Sequence, residues 1–464
     1  VIARVGESGK AYLRAHKAEL TAEAKKAQKA KTRSRQRVWF FVVLLLNFGV
    51  LAVLKYLNPV MAWGASLLGG SAPSLGLVLP LGISFYTFQS MGYLIDVYNG
   101  KYAPEKNPAK FALFVSFFPQ LIQGPIARFD QLENQLITPH RFDLDGIERG
   151  LLLMLWGWFK KKVIADRALP LVEAVFGSQS AYGGAVIVIG VLFYSLQQYA
   201  DFSGGIDLVT GIAQLFGIQL APNFKRPYFS VSLGDFWRRW HISLGAWMRD
   251  YVFYPFALTR PVSRMSKALK KKAGTHIARA LPAALGNILV FLLVGVWHGA
   301  QMNYVLWGLY NGVILAFTAL VEPVYKRMND RLPRLTASGG FHVFRILRTF
   351  LVVNIGWYFD RCVRVCDAFA MLHKTFFAFN ARQLFDGTLD TLGLAAKDYR
   401  ILLVATIILF VVSLMQERGV KIRDFVLSRP LALRWAVLYA FIFFVLATFG
   451  GSNVAASGFM YAVF

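Results

Sequence analysis

LPAALGNILVFLLVGVWHGAQMNYVLWGLYNGVILAFTALV, residues 281 to 321, contains no Asp, Glu, Lys or Arg. It reads as two membrane-crossing helices, 281–297 and 302–321, because about twenty apolar residues cross a hydrocarbon core of roughly 30 Å. The four joining residues hold one histidine, His298, and beside it Gly299, which lets backbone or substrate approach closely. An ionisable side chain inside a membrane protein is a functional candidate by default, since its charged form is costly there unless it faces a cavity. Imidazole, with an unperturbed pKa of about 6.5, suits proton abstraction from a hydroxyl. The plainer reading is a structural histidine bonded to a neighbouring carbonyl.

The rest of the chain agrees with an all-α, polytopic membrane protein. Of its 464 residues, 56% are hydrophobic and only 16% charged, whereas soluble domains run to about 45–50% apolar and about 25% charged. Further spans are expected at 38–57, 181–200, 203–222, 343–359, 401–415 and 435–455. Residues 60–95 carry no charge up to Asp96, and Gly69-Gly70, Pro73 and Pro80 divide them into at least two pieces. Residues 111–127 are uncharged too, but Pro119 and Gly124-Pro125 interrupt a helix. A re-entrant segment lining an interior space fits them best. Residues 361–400 read as a small interfacial group of short helices.

A net charge of +26 raises the question of nucleic acid. Placement answers it: residues 1–37 hold 11 Lys and Arg against three Glu, and Arg260, Arg264, Lys267, Lys270, Lys271 and Lys272 occur with no acid among them. Basic connections near 259–279, 322–348 and 416–434 are each separated by two spans, which puts them on one side, and the positive-inside rule makes that side cytoplasmic. His298 then lies toward the opposite face. The domain reading is a basic cytoplasmic segment, 1–37, and a single membrane domain, 38–464. The chain opens at Val1 without a signal-peptide core, which points to further sequence upstream. Cys362 and Cys366, four apart, read as neighbours on one helical turn and as neither a disulfide framework nor a metal site.

A second histidine, His241, lies in DFWRRWHISLGAWMRDYVFYP, residues 235–255, which reads as one amphipathic helix. At about 100° per residue, Trp237, Trp240, His241, Leu244, Trp247, Met248 and Tyr251 share one face, with Arg238, Arg239, Arg249 and Asp250 opposite. Aromatic-rich interfacial helices with a basic face are ordinary in membrane proteins. Gln197, Gln198, Asp201, Asp207 and the stretch 223–228 are polar groups within apolar surroundings that would line a polar path, or simply join helices. The chain has no Walker loop, HExxH or GxSxG, so phosphoryl transfer, zinc hydrolysis and nucleophile-elbow esterase chemistry lack their signatures.

Several blocks, in order, carry a resemblance: PLGISFYTFQSMGYLIDVYNG (80–100), FFPQLIQGPIARF (117–129), ADFSGGIDLVTGIAQLFGI (200–218), NFKRPYFSVSLGDFWRRWHISLGAWMRDYVFYP (223–255), GVWHGAQMNYVLWGLYNG (295–312) and FGGSNVAASGFMYAVF (449–464). In these the chain resembles the membrane-bound O-acyltransferase (MBOAT) family, in its bacterial branch of alginate and peptidoglycan O-acetylation proteins. The resemblance implies about eleven transmembrane helices plus re-entrant and interfacial helices around a central tunnel, with His298 catalytic and His241 the second characteristic histidine. The substrate-path candidates are Trp237, Trp240, Arg238, Arg239, Asp201, Gln197, Asn303, Trp297 and Gln123. AQMNYVLWG at 300–308 departs from relatives that often carry an aromatic residue after Ala-Asn, so the acceptor pocket is not carried over.

The function implied is transfer of an acyl group, most simply acetyl, from a cytoplasmic thioester across the membrane to a hydroxyl of an extracytoplasmic polysaccharide or partner protein. Acetyl-CoA or another acyl thioester is the donor substrate, with no tightly bound cofactor and no metal. Expected partners are membrane lipid, an extracytoplasmic acceptor enzyme or polysaccharide, and an acyl-carrier protein, but no nucleic acid. The expected location is the bacterial cytoplasmic membrane. One alternative is D-alanyl transfer from a carrier-protein thioester to teichoic acid. Another, of a different class, is a transporter of a solute or lipid-linked glycan, which would more often show interrupted helices in matching halves.

Overall fold

The computed structural model describes residues 1–449, 458 and 459, and all its regular elements are helical, with no strand among the described residues. Most of the C-terminal block of the resemblance, and the end of the span expected at 435–455, lie outside the described residues. The chain divides into two compact units, residues 1–122 with 126–139 and residues 123–125 with 140 onward.

The first unit holds α1 (Ile2–Ala15), α2 (Ala22–Leu67) and α3 (Ile83–Asn99). The span expected at 38–57 is the centre of α2, which starts in the basic segment, where Thr21 Oγ1 caps Ala24 N at 3.2 Å. It continues through Pro59, so residues 60–67 belong to this helix and not to a separate piece. Asn58 then ties down the irregular stretch that follows, donating to Leu75 O and accepting from Leu75 N. The expected interruption of 111–127 is present, but the first helix ends at Val115. Pro119 instead sits in the first turn of the short helix Phe118–Leu121, where its missing N–H leaves no bond unmade.

The second unit begins with α4 (Leu144–Trp158), a wide turn at Phe159–Ala165 and α5 (Asp166–Gly177). No span was expected here, because Lys160, Lys161, Lys162, Asp166 and Arg167 stand in the middle of the sequence. Those charges are paired within the protein. Lys161 meets Asp201 and Asp166, Lys160 meets Asp207 at 2.8 Å, and Arg167 meets Asp398 at 3.1 Å.

The two spans expected at 181–200 and 203–222 are one helix, α6 (Gly184–Leu215). Asp201, Ser203 and Gly204 look like a break but serve packing: Asp201 takes Lys161, Ser203 takes Lys160, and Gly204 lies against Gly157 of α4. A side chain at Gly157 would stand 2.7 Å from Gly204 O, so the helices meet backbone to backbone.

After two short helices, α7 (Leu233–Arg239) and α8 (Ile242–Met248), come α9 (Arg260–His298), interrupted at Gly274 (φ +86°), and α10 (Met302–Leu320). The remainder is α11 (Gly339–Arg361), α12 (Val365–Phe377), α13 (Ala396–Glu417), α14 (Ile422–Leu427) and α15 (Leu431–Thr448). Cys362 follows α11 and is buried, while Cys366 lies exposed in α12, so the two do not share a helical turn. Among the described residues, α2, α6, α9, α10, α13 and α15 are long and apolar enough to cross a membrane. Exposed Leu45, Leu46, Val313, Phe317, Leu403 and Leu446 on four of them are the surface such helices present to lipid.

Candidate active site

His298 is the last residue of α9, and its position follows from how α9 and α10 close on each other. Gly295 faces the Tyr304 carbonyl and Gly308 faces the Phe291 carbonyl, so close that either would collide through a Cβ. Gly308 and Gly312 are four apart, the small-residue spacing that lets membrane helices touch. The hairpin tip therefore holds His298 among aromatic rings, 4.9 Å from Trp297, 5.1 Å from Trp307 and 6.0 Å from Tyr304, centroid to centroid. Its side chain is buried, at 7% exposure.

The segment around His241 is not one amphipathic helix. The chain breaks between α7 and α8, with His241 in the left-handed region at φ +47°. A non-glycine residue there carries a cost of roughly 1–2 kcal/mol. The break is held from outside by residues 223–226: Ile242 N donates to Asn223 O at 3.0 Å and Lys225 N to Arg239 O at 2.9 Å. Asn223 Oδ1 also accepts from Ser243 N and Oγ at 3.0 and 2.9 Å and lies 3.3 Å from His241 Nδ1. The expected aromatic face is buried as a set (Trp240, His241, Leu244, Trp247 and Met248), packed into the protein and not laid on its surface. Phe202 meets the His241 ring edge-on at 4.8 Å.

Both histidines line one cavity of about 450 Å³. Trp237, Trp240 and Arg238 of the expected path line it too, as do Gln198, Trp307 and Trp357. Its outer rim carries exposed Arg238, Arg249 and Tyr254, and it runs inward to the two imidazoles. Along α9 the lining extends from His298 back to Asn287, about 16 Å at 1.5 Å per residue. The cavity therefore follows the hairpin from its tip toward the basic connection that opens α9.

The remaining candidates lie outside this lining. Arg239 is clamped by Glu417 and Asp235, at 2.8 and 3.2 Å. Asp201 is buried against Lys161, and Gln197 is buried in α6. Asn303 Nδ2 donates to the carbonyls of Phe359 and Cys362, which ties α10 to the end of α11. Gln123 Nε2 donates to Phe202 O at 3.3 Å. Trp297 backs the site, its ring 4.9 Å from His298 and 6.3 Å from His241.

Sequence reasoning missed Asp360, which is buried and accepts from Tyr194 Oη at 2.6 Å and from Gln198 Nε2 at 3.1 Å. It thereby fixes the amide of Gln198 at the cavity wall. The signal was present, since Asp360 is the only acid in residues 339–361 and sits in an apolar run.

Residues 105–355, more than half of the chain and including both histidines, match the family model described as MBOAT, membrane-bound O-acyltransferase family. The chain belongs to this family. Among its relatives is the "Probable alginate O-acetylase AlgI" of Pseudomonas syringae pv. tomato, 34% identical over 76% of this chain and 63% of the relative. The peptidoglycan O-acetyltransferase of Helicobacter pylori is 30% identical over 75% of this chain and 66% of its own length. The teichoic acid D-alanyltransferase of Bacillus subtilis is 27% identical over 62% and 69%. The chain thus spans a little under two thirds of the first of these relatives. As an MBOAT member with several long apolar helices it is a multi-pass membrane protein.

Proposed function

We propose that this chain is the membrane core of an O-acyltransferase of the bacterial cytoplasmic membrane that moves acetyl from a cytoplasmic thioester to an extracytoplasmic hydroxyl. The observation that carries the proposal is the single cavity in which His241 and His298 meet. With the basic connections cytoplasmic, the cavity mouth takes the donor from that side, and His298 at the hairpin tip meets the acceptor near the opposite face. About eleven crossings are proposed, the shorter and interrupted helices supplying those beyond the six long ones.

In the reaction, His298 removes the acceptor hydroxyl proton as the oxygen attacks the thioester carbonyl, His241 orients or polarises the reacting groups, and the C–S bond breaks. The departing thiolate takes the proton back from His298, which leaves an ester, a thiol and an unchanged enzyme. Such a base contributes on the order of 10² to 10⁴ in rate. The aromatic walls from Trp240, Trp307 and Trp357 keep water from competing for the thioester. Arg238 and Arg249 at the rim attract an anionic donor such as acetyl-CoA. The acceptor is a polysaccharide hydroxyl, or the serine of a partner enzyme that then decorates the glycan.

Membranes carrying the chain with its native acceptor, given radiolabelled acetyl-CoA, are expected to yield labelled ester. Transfer only from a carrier protein loaded with D-alanine would replace this reading with the second one, which the likeness to a teichoic acid D-alanyltransferase supports. Gln301→Cys should react with an impermeant maleimide in intact cells. Labelling only after the cytoplasmic face is opened would reverse the sides.

A further inference from the structure

A larger cavity, about 740 Å³, lies between α4, α6, α13 and α15 and shares no lining residue with the one that holds the histidines. Six cations line it, Arg149, Lys160, Lys225, Arg226, Lys421 and Arg423, against two carboxylates, Asp207 and Asp424. Three of the cations are balanced: Arg149 by Asp424, Lys160 by Asp207 and Arg226 by Glu417. Among the described residues Arg423 donates to neutral oxygens, Arg149 O at 3.2 Å and Gln214 Oε1 at 2.8 Å, and Lys225 and Lys421 are exposed. Counting Glu417, the mouth therefore carries three more positive charges than negative ones among the described residues.

Deeper in, the walls turn apolar. Leu152, Leu155, Ile408, Val412, Leu438 and Phe441 line them, the last four on α13 and α15, which are long and apolar enough to cross a membrane. The lining also includes Asn223, 1% exposed, whose Oδ1 is engaged at His241 and Ser243 while its Nδ2 has no hydrogen-bond partner among the described residues. A cationic mouth and an oily shaft call for one kind of occupant, an amphiphile with an anionic head. Basic pockets between membrane helices on the cytoplasmic side recognise anionic lipid headgroups in this way.

We infer that this cavity binds one anionic phospholipid, its phosphate held by Lys225, Lys421 and Arg423 and an acyl chain lying between α13 and α15. The cavity shares no lining residue with the one that holds the histidines and meets its wall through Asn223, and its test needs no activity. The chain purified in nonionic detergent would be incubated with equal amounts of phosphatidylglycerol and phosphatidylcholine, and retained lipid read by native mass spectrometry. One phosphatidylglycerol is expected to be retained in preference. The double substitution Lys421→Gln, Arg423→Gln should weaken retention on the order of 30-fold, at roughly 1 kcal/mol per cation.

Val412→Phe narrows the apolar shaft with all charges in place and should also lower retention, which separates loss of the site from a failure of the charge variant to fold. Equal retention of the two lipids, or retention unchanged in both variants, overturns the inference. So does displacement of bound phosphatidylglycerol by inorganic phosphate alone, which would make the site one for a free anion.

Discussion

His298 ends the helix that closes on α10 through glycines, whereas His241 sits in a strained turn between two seven-residue helices, held by the backbone of Asn223 and Lys225 and the side chain of Asn223. One imidazole is placed by helix geometry and the other by a tether. Errors at the two places should therefore have different consequences: damage to the hairpin removes the scaffold, and damage to the tether leaves the scaffold but loosens the chemistry.

The largest effect is expected at the hairpin. Gly308→Leu puts a side chain into the Phe291 carbonyl on the facing helix, and backbone cannot yield as a flexible side chain can. Overpacking typically costs about 1–3 kcal/mol and more where backbone blocks relief, and the yield of monodisperse protein in detergent should collapse. A folded yield near that of the parent would show that the two helices do not need this contact.

An intermediate effect is expected at the tether. Asn223→Ala removes the acceptor shared by His241 and Ser243 and leaves buried donors unmatched, at about 1–3 kcal/mol. Roughly tenfold loss in acetyl-transfer rate corresponds to the lower part of that range. The unfolding temperature should fall by less than in the hairpin variant. An unchanged rate would mean that the orientation of His241 does not matter to the chemistry.

The smallest effects separate two adjacent arginines. Arg239→Gln breaks partly buried pairs with Glu417 and Asp235, and should lower stability by about 1 kcal/mol. Arg238→Gln touches an exposed rim residue, so it should leave the unfolding temperature unchanged and raise the KM for an anionic donor a few-fold, an effect erased by added salt. If both variants shift only KM, the clamp assigned to Arg239 is wrong.

The same contrast explains what the sequence made legible. The charge-free run 302–321 disclosed α10 almost to the residue, because lipid demands continuous apolar length, while the spans expected at 343–359 and 401–415 fall inside α11 and α13, which run two to five residues further at each end. Runs broken by charge misled. The helix pair α4 and α5 was overlooked, and α6 was cut in two at Asp201, because partners that neutralise these charges are distant in the sequence, Asp201 lying 40 residues from Lys161 and Asp398 lying 231 from Arg167.

At the site, His298 was legible from its place between two charge-free spans. The importance of His241 rested on the resemblance, and its helical reading failed because periodicity does not register a tether from Asn223. Asp201 stood out as a polar residue in an apolar run, and Arg239 and Asn303 were named as path candidates. Yet a buried hydrogen bond to a neighbouring helix leaves the same trace in sequence as a cavity wall.

The most direct test is the rate of acetyl transfer from acetyl-CoA in membranes carrying His298→Ala, at matched protein levels and unfolding temperature. The account predicts a fall on the order of 10²- to 10⁴-fold, with His241→Ala also impaired. Near-normal turnover by the His298 variant would contradict the role given to that imidazole.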